Sequence, residues 1–434
     1  MSTRRLTKND KAWNQIFSEY NILQKIREEE FYKIESKLIN KYRQSRLMTK
    51  FDHTANLPAV FKHNNLRILP ISRSSYIIGK FSNYKKVVYQ GIDSPEAVRF
   101  PSYIKSIDYN NLFSESSVLH CAYLCGMIDE LIGEKTYPTV SGRMTTDNFS
   151  FRVKSIENKT YYNLSVNKSQ VEIDGGYESK NYLVIIEAKN TEVEDFIIRQ
   201  LYYPYRVWQN KLNKEVIPVF LTYSNNTFSF FVYRFEDIKN YNSLKLVKQK
   251  HYIINPRKIT LDDVKYVFEK TEVIDEPEVP FPQADKFTRI IDLLTILMNT
   301  EMSKDDITEN YQFDVRQTDY YTNAAIYLGL VKKIKDGKLI KYTLTGKARR
   351  IMILPYKEKN MALTACILEH EVFNRCFKVY LNHGKLPSIE SIVEIMLDSY
   401  IYNVSSMRTY KRRAQTVRKW LEWIINLTQK KIKS

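Results

Sequence analysis

The sequence predicts a mixed α/β protein, in which a central sheet flanked by helices is followed by an all-helical C-terminal region. Short β-branched and aromatic runs fill the middle of the chain between two helical stretches. From Lys286 onward, apolar residues recur at helical spacing. The Pro-rich, acidic segment 276–282 separates these two parts, and its prolines should resist helix formation.

These patterns divide the chain of 434 residues into five parts. In the N-terminal part, 12–20 and 22–42 have helical spacing, and the residues from 51 onward show shorter apolar runs broken by Pro and Asn. The predicted parts are an N-terminal module of helices and short strands at 1–110, a sheet-containing domain at 111–250, a linker at 251–284, and two helical domains at 285–355 and 356–434.

The charge balance predicts a polyanionic partner. The formal net charge is +18, which favours nucleic acid over a membrane surface. We expect no membrane attachment, because no apolar run is long enough to span a bilayer. The N-terminal residues lack an apolar signal region, and the four cysteines are too few for a disulfide framework. We therefore expect a cytoplasmic protein.

The central domain begins with a helix over 114–133, for which Ser114 is a good N-cap. A second helix, 194–211, contains Pro204, which should kink it. The remaining apolar runs are predicted strands, and the last two of them are joined by an Asn-Asn turn. In chain order these strands are 148–156, 161–174, 182–189, 216–223 and 227–233.

Two carboxylates and a lysine stand out among these strands. Asp174 precedes the turn signal Gly175-Gly176, and Glu187 and Lys189 lie two residues apart at the end of the next strand. Strand alternation places Glu187 and Lys189 on one face, and a hairpin brings Asp174 beside them. Carboxylate oxygens suit hard cations such as Mg²⁺, and a lysine beside such an ion can orient or help deprotonate a water molecule. The alternative is a solvated hairpin with a surface Glu/Lys pair.

The spacing of these residues resembles the signature of the PD-(D/E)XK nuclease superfamily, with Ile173 where many members have proline. The predicted order of helix, three strands, helix and strand is also that of the superfamily core. The resemblance implies a restriction-endonuclease-like mixed central sheet flanked by helices. It also implies that Asp174 and Glu187 hold Mg²⁺ while Lys189 helps to activate a water molecule, so that these three residues are catalytic.

The resemblance adds two further candidate residues. In several families of the superfamily a glutamate on the first helix completes the metal site, and Glu115 occupies the first turn of that helix here. The alternative role of Glu115 is a carboxylate favoured by the helix dipole. Some members carry Gln-x-x-x-Tyr on the helix after the lysine. Gln200 is the candidate DNA contact at this place, but it matches the pattern imperfectly, because Pro204 stands four residues later and Tyr205 follows it.

Residues 285–355 show the pattern of a winged helix. Three short helices (287–298, 303–312 and 315–328, ended by Gly329) precede a basic hairpin with an Asp336-Gly337 turn. Such a third helix enters the major groove, and the hairpin lies along phosphates. Residues that can read base edges are Arg316, Gln317, Thr318 and Asn323, and the hairpin lysines are Lys332, Lys333, Lys335, Lys338 and Lys341. The alternative is a winged helix that binds protein.

After helices at 374–386 and 389–397, residues 405–425 form a basic helix over an apolar base, which we interpret as a second helix-turn-helix-like unit. The alternatives are a solvated basic face or a dimer helix. The apolar base is Val417, Trp420, Leu421 and Ile424, and the predicted DNA contacts are Arg408, Lys411, Arg412 and Arg413.

A PD-(D/E)XK core joined to winged-helix and helix-turn-helix-like domains resembles type II restriction endonucleases. The resemblance implies a Mg²⁺-dependent, sequence-specific endonuclease of double-stranded DNA from a prokaryotic restriction-modification system. A palindromic site would imply a homodimer with one active site per strand. The alternatives are a methylation-dependent restriction enzyme, a repair or transposon-end nuclease, and a DNA-binding regulator with an inactive nuclease fold.

Overall fold

The computed structural model describes residues 6–310, 315–337 and 339–433. A large mixed sheet forms the centre, and a helical region follows it toward the C-terminus, so the predicted mixed α/β class is confirmed. No helix within these ranges combines the length and apolar character needed to cross a membrane.

The N-terminal region contains short helices around a three-stranded antiparallel sheet of order β1-β3-β2. The predicted helix over 22–42 is wrong beyond Glu29, because Glu30 adopts a left-handed conformation and the alternating residues after it pair with β3. The elements are α1 (Lys8–Glu19), α2 (Ile22–Glu29), β1 (Phe31–Glu35), α3 (Ser36–Ile39), α4 (Ser45–Thr49), a 3-10 turn (Thr54–Asn56), α5 (Ala59–His63), β2 (Arg67–Pro70) and β3 (Ser75–Gly79).

The central region opens with two short strands and two helices, β4 (Tyr84–Lys86), β5 (Glu96–Val98), α6 (Glu115–Leu124) and α7 (Met127–Ile132). It continues with β6 (Tyr137–Thr145), β7 (Phe149–Lys154), β8 (Tyr161–Val166), β9 (Gln170–Glu178), β10 (Tyr182–Lys189), β11 (Asp195–Ile197), α8 (Arg199–Lys211), β12 (Glu215–Ser224), β13 (Thr227–Phe235) and β14 (Leu244–Ile254).

Seven of these strands form the central sheet in the order β5-β14-β13-β12-β10-β9-β6. Strands β10 and β12 run parallel, as do β14 and β5, and the other neighbours are antiparallel. The apolar face of α8 covers one side of the sheet, and the apolar face of α6 covers the other. The end of β10 therefore lies between two helices whose first turns carry Gln200 and Glu115.

Several predicted boundaries in this region are wrong. The helix predicted over 114–133 is two helices, because Gly126 adopts a left-handed conformation between them. The strand predicted at 148–156 pairs with β8 outside the central sheet, and the strand predicted at 161–174 is two strands, β8 and β9. The helix predicted from 194 begins at Arg199, after β11 has paired with β4. The Asn225-Asn226 turn is confirmed, with both residues at positive φ.

The helical region begins with α9 (Leu261–Lys270) and α10 (Phe287–Ile296), so the predicted linker at 251–284 contains the end of β14 and a helix. A three-stranded sheet of order β15-β17-β16 then follows with its helices, and five more helices end the chain. These elements are β15 (Met302–Ser303), α11 (Lys304–Asn310), α12 (Val315–Tyr327), β16 (Val331–Asp336), β17 (Leu339–Leu344), α13 (Gly346–Met352), α14 (Tyr356–Leu368), α15 (Glu371–His383), α16 (Ile389–Leu397) and α17 (Met407–Gln429).

The helical region packs against the central sheet. At the sheet end of β12, the Ser224 hydroxyl donates to Asp292 Oδ1 of α10 over 2.8 Å. After α17 ends, the chain returns to the central sheet, where the backbone N–H of Ala97 in β5 donates to the carbonyl oxygen of Lys433 over 2.8 Å. The last described residues therefore extend the edge of the central sheet.

Candidate active site

The candidate site lies where β9 and β10 separate. Their backbone pairing stops at Gly175 and Ile186, one residue before Asp174 and Glu187. Beyond that point a side chain continues the hydrogen bonding between the two strands. The backbone N–H of Ala188 in β10 donates to Oδ2 of Asp174 in β9 over 2.8 Å, where a backbone carbonyl oxygen would accept it in a regular sheet. This bond fixes the Asp174 carboxylate beside Glu187 and Lys189.

Gly175 and Gly176 do not form the predicted turn. Both lie inside β9, and the hairpin turns at residues 179–181. A Cβ on Gly176 would lie 2.7 Å from Val140 Cβ on β6, and a Cβ on Gly175 would lie 3.2 Å from Leu119 Cδ1 on α6. The glycines therefore allow β6 and α6 to approach β9 closely, and α6 carries Glu115 toward Asp174.

Gly176→Ala is expected to lower the free energy of unfolding by about 1–3 kcal/mol, because the added methyl group overpacks against Val140. Chemical denaturation of the full chain measures this change. Gly346→Ala is the matched control. Its Cβ would meet only the flexible side chain of Arg350, at 3.5 Å, so stability should be unchanged or slightly raised. Equal stability of Gly176→Ala and the wild type would contradict the close approach of β6.

Around Asp174 the structure brings together all the residues predicted for catalysis and metal binding. Lys189 Nζ lies 2.5 Å from Glu187 Oε1 and 3.7 Å from Glu115 Oε1. Gln200 Nε2 donates to the same Glu187 oxygen over 2.5 Å. Ser114 caps α6 as predicted, through a bond from the Ser117 N–H to its hydroxyl oxygen. Glu115 therefore begins a well-formed helix that points its first turn at the site.

The site concentrates negative charge in a buried place. The Glu187 residue is 7% exposed, and burial raises its pKa to about 8 although Lys189 opposes this effect. Burial also raises the pKa of Asp174 and of Glu115, and again Lys189 partly offsets the shift. Burial alone would lower the pKa of Lys189, but the surrounding carboxylates raise it above its usual value.

The donor chemistry of this site suits a hard cation. In the described parts of the chain, no three His, Cys, Asp or Glu side chains are close enough together to hold a metal ion. However, Asp174, Glu187 and Glu115 all supply carboxylate oxygens, which Mg²⁺ prefers. The buried Oε1 of Gln200 also lacks a hydrogen-bond partner among the described residues. A divalent cation would compensate the buried negative charge that Lys189 leaves unbalanced.

Comparison with protein families gives three matches, and these correspond to the N-terminal, central and helical regions of the structure. Family models match residues 10–78 (DUF6996), 79–253 (DUF6997) and 289–429 (DUF7226). The chain is similar to three domains of unknown function. No curated protein and no solved structure matches it. All five residues at the carboxylate site lie in the DUF6997 region.

The DUF6996 region also places a charged residue near this site that the sequence did not indicate. The Asp52 carbonyl oxygen accepts the backbone N–H of Ile197, three residues before Gln200, over 2.9 Å. Asp52 adds to the pKa increases of Asp174 and Glu115, for which burial is the main cause. No local pattern could have selected Asp52, because it follows a short helix and precedes a 3-10 turn far from the motif in sequence. Only the packing of the DUF6996 region against β11 brings it near.

In the DUF7226 region, the predicted base-reading residues on α12 differ in exposure. Thr318 is buried and its hydroxyl oxygen lies 2.8 Å from that of Thr308, so its predicted role in base reading is wrong. Arg316 is exposed and lies over the Tyr320 ring, with 5.4 Å from its Cζ to the ring centroid. Gln317 and Asn323 are partly exposed.

The predicted basic hairpin is present as β16 and β17, with Gly337 at positive φ in its turn. Lys332, Lys333 and Lys335 are exposed, whereas Lys341 Nζ lies 2.5 Å from Asp336 Oδ2. Lys338 lies outside the described residues.

The basic helix α17 divides its charges between the surface and the segment before α10. Arg408 and Lys411 are exposed. Arg412 donates to Asp285 Oδ1 over 2.9 Å, and Arg413 donates to Gln283 Oε1 over 2.7 Å. The structure therefore gives these two arginines a packing role within the chain.

Proposed function

We propose that this chain is a Mg²⁺-dependent, sequence-specific endonuclease of double-stranded DNA, of the type II restriction class. The observation that carries the proposal is the convergence of Asp174, Glu187 and Lys189 where β9 and β10 separate. Glu115 and Gln200 join them from the helices on the two sides of the sheet. These residue types on two adjacent antiparallel strands resemble the site of PD-(D/E)XK nucleases.

In this proposal each residue has a distinct role. Asp174, Glu187 and Glu115 would hold Mg²⁺, which when bound supplies electrostatic stabilisation to the phosphate under attack. Lys189 faces the same space and orients the attacking water molecule through its ammonium group. The water attacks phosphorus in line, and the bond to the 3′-oxygen breaks. Gln200, whose amide nitrogen donates to Glu187 Oε1, is the proposed contact to the substrate strand.

The DUF7226 region supports recognition of DNA. The order α10, β15, α11, α12 and the β16–β17 hairpin is that of a winged helix, in which α12 would enter the major groove. The exposed lysines of β16 would lie along phosphates, and the net charge of +18 favours a polyanionic partner. A palindromic recognition site would be served by a homodimer, with one site cutting each strand.

Digestion of a DNA of known sequence tests the proposal. The purified full chain should produce discrete fragments with Mg²⁺ and none with EDTA, and sequencing of the fragment ends should give one recurring site. Methylated and unmethylated copies of the same plasmid separate a conventional from a methylation-dependent restriction enzyme. DNA that is bound but uncut at every Mg²⁺ concentration would contradict the proposal and would fit a regulator with an inactive nuclease fold.

A further inference from the structure

Residues 190–194 connect two elements of the candidate site. They follow Lys189 at the end of β10 and lead through β11 into α8, which carries Gln200. The backbone pairing of β10 with its parallel neighbour β12 ends at Lys189 and Thr222. The course of the chain directly after Lys189 is therefore not set by this pairing, and other contacts hold it.

Asp292 on α10 supplies such contacts from the helical region. The backbone N–H of Glu192 donates to Asp292 Oδ2 over 3.3 Å, and the hydroxyl of Ser224 donates to Asp292 Oδ1 over 2.8 Å. Ser224 is the last residue of β12, and its hydroxyl oxygen accepts Asn225 Nδ2 over 2.7 Å. One carboxyl group therefore joins the chain just beyond β10 to the end of β12.

Two neighbours of Asp292 contact the same connecting segment. Lys286, the N-cap residue of α10, lies with its Nζ 3.9 Å from Glu192 Oε1, and Arg289 Nη1 lies 3.9 Å from Glu194 Oε1. Because Lys286, Arg289 and Asp292 are spaced three residues apart, they are neighbours on the helix surface. The first turns of α10 therefore run along this segment, and Asp292 bonds to its backbone.

The packing of α10 does not require a carboxyl group at this position. Apolar side chains anchor the helix in its own core, and the fully buried ones beside Asp292 are Ile290, Leu293 and Leu294. Burial raises the pKa of Asp292 to about 8, although the hydrogen bonds from Ser224 and Glu192 oppose this increase. A buried carboxyl group is costly, so its two hydrogen bonds to the central region are what it contributes.

A small cavity extends these polar surroundings toward the candidate site. Its volume is about 20 Å³, which is room for one water molecule, and its wall includes Asp292, Ser224 and Asn190. Asn190 directly follows Lys189, and its buried Oδ1 has no hydrogen-bond partner among the described residues. Asp292 therefore shares one cavity with the residue next to Lys189.

We infer that Asp292 is a positioning residue of the active site, through which the helical region holds the end of β10 that carries Glu187 and Lys189. Asp292 acts through Glu192 and Ser224 and does not itself take part in the chemistry. The inference rests on the proposed function, because the site that Asp292 positions is the one proposed for DNA cleavage. It implies that the DUF7226 region contributes to cleavage as well as to DNA binding.

Hydrogen–deuterium exchange of the full chain tests this inference without requiring cleavage. Asp292→Ala removes both acceptors, so peptides that cover 187–194 should exchange faster. Asp292→Asn keeps an oxygen for the Glu192 N–H and offers an amide N–H to Ser224 Oγ, so it should restore slow exchange. Ser224→Ala leaves α10 unchanged and frees one carboxyl oxygen, so it should give a smaller increase in the exchange rate.

Single-turnover cleavage of plasmid DNA at saturating concentration measures the effect on the site. Asp292→Ala should lower this rate by up to about 100-fold, the loss that a misplacement of about 1 Å can cause. Its affinity for a labelled fragment of the same plasmid in a calcium buffer should be unchanged. Asp292→Asn should recover most of the rate. A residue that only supports folding would not separate the cleavage rate from DNA affinity in this way.

Asp263→Ala is the matched control. Asp263 also accepts hydrogen bonds in the helical region, from the Thr260 N–H over 2.7 Å and from Lys357 Nζ at 2.7 Å, but both partners belong to that region. Its loss should lower the melting temperature and leave both the exchange over 187–194 and the saturated cleavage rate unchanged. An equal loss of rate in Asp263→Ala, or unchanged exchange over 187–194 in Asp292→Ala or Ser224→Ala, would overturn the inference.

The two measurements separate this inference from the nuclease proposal. Faster exchange over 187–194 in Asp292→Ala, in a chain that cuts no DNA, would support the positioning of β10 and contradict the nuclease. Cleavage and exchange that are both unchanged in Asp292→Ala would support the nuclease and remove Asp292 from the positioning of its site.

Discussion

Lys189→Ala and Asp174→Asn are each expected to reduce Mg²⁺-dependent cleavage by about 10²- to 10³-fold, the scale on which removal of one group that stabilises transition-state charge acts. Lys189→Ala removes the ammonium group that lies 2.5 Å from Glu187 Oε1 and that orients the attacking water in this proposal. Asp174→Asn removes the negative charge that would help to hold the cation. Initial rates of plasmid nicking and linearisation measure both effects.

Asp174→Asn also distinguishes lost chemistry from lost structure. Its remaining carbonyl oxygen can still accept the N–H of Ala188, the bond that fixes this side chain at the end of the ladder. Lys189→Ala, by contrast, leaves Glu187 buried without its cationic partner, and breaking a buried ion pair costs about 3–5 kcal/mol. Asp174→Asn should therefore remain folded, and its DNA affinity in a calcium buffer should be largely retained.

Lys214→Ala is the matched control for Lys189→Ala. Lys214 also contacts a glutamate of this hairpin, with 2.5 Å from its Nζ to Glu178 Oε1, but it does so beside the hairpin turn and away from Asp174. Its removal should leave the cleavage rate unchanged. Full activity of Asp174→Asn and Lys189→Ala would exclude this cluster as the active site.

The placement of Glu187 and Lys189 on one strand can be predicted from the sequence because its signal is local. Alternation in a buried strand is sufficient to place Glu187 and Lys189 on one face, and both lie on the predicted strand. The N-cap of α6 and the Asn225-Asn226 turn likewise depend only on neighbouring residues, and both are confirmed. Local patterns therefore fixed the positions of the charged residues along their own elements.

The pairing of strands depends on distant residues and could not be predicted in the same way. The sequence does not predict β6 as a strand, because most of its residues are exposed and it contains Pro138 and Gly142, so it has no apolar alternation. Its presence beside β9 changes the role of Gly176 from a turn residue to a close contact with Val140. In the sequence, a glycine pair in a turn cannot be distinguished from a glycine pair inside a strand that allows close packing. The neighbouring strand must be known first.

Tertiary packing also decides which candidate side chains are accessible. Thr318 has a suitable type for base reading, but the approach of α11 buries it against Thr308. Arg412 and Arg413 look like exposed basic residues until residues 283–285 pack along α17. Asp52 shows that packing also brings together residues far apart in sequence, because its carbonyl oxygen accepts the backbone N–H of Ile197 over 2.9 Å, three residues before Gln200.

Replacing Lys332, Lys333 and Lys335 together by glutamine is expected to weaken DNA binding strongly. These exposed lysines lie on β16 of the hairpin, and each contacted phosphate contributes about 0.9 to the salt dependence of binding. The slope of log affinity against log salt should therefore become shallower by up to about 2–3. Fluorescence anisotropy of labelled DNA over a range of salt concentrations measures both the affinity and the slope.

The matched control removes three exposed lysines from other elements, Lys265, Lys270 and Lys378, on α9 and α15. Both triple variants change the net charge equally, so any difference between them reports the position of the charge and not its amount. If the hairpin lies along phosphates, the slope changes only in the hairpin variant. An equal slope in both variants would instead indicate diffuse attraction, and the β16–β17 hairpin would then be free to contact a protein partner.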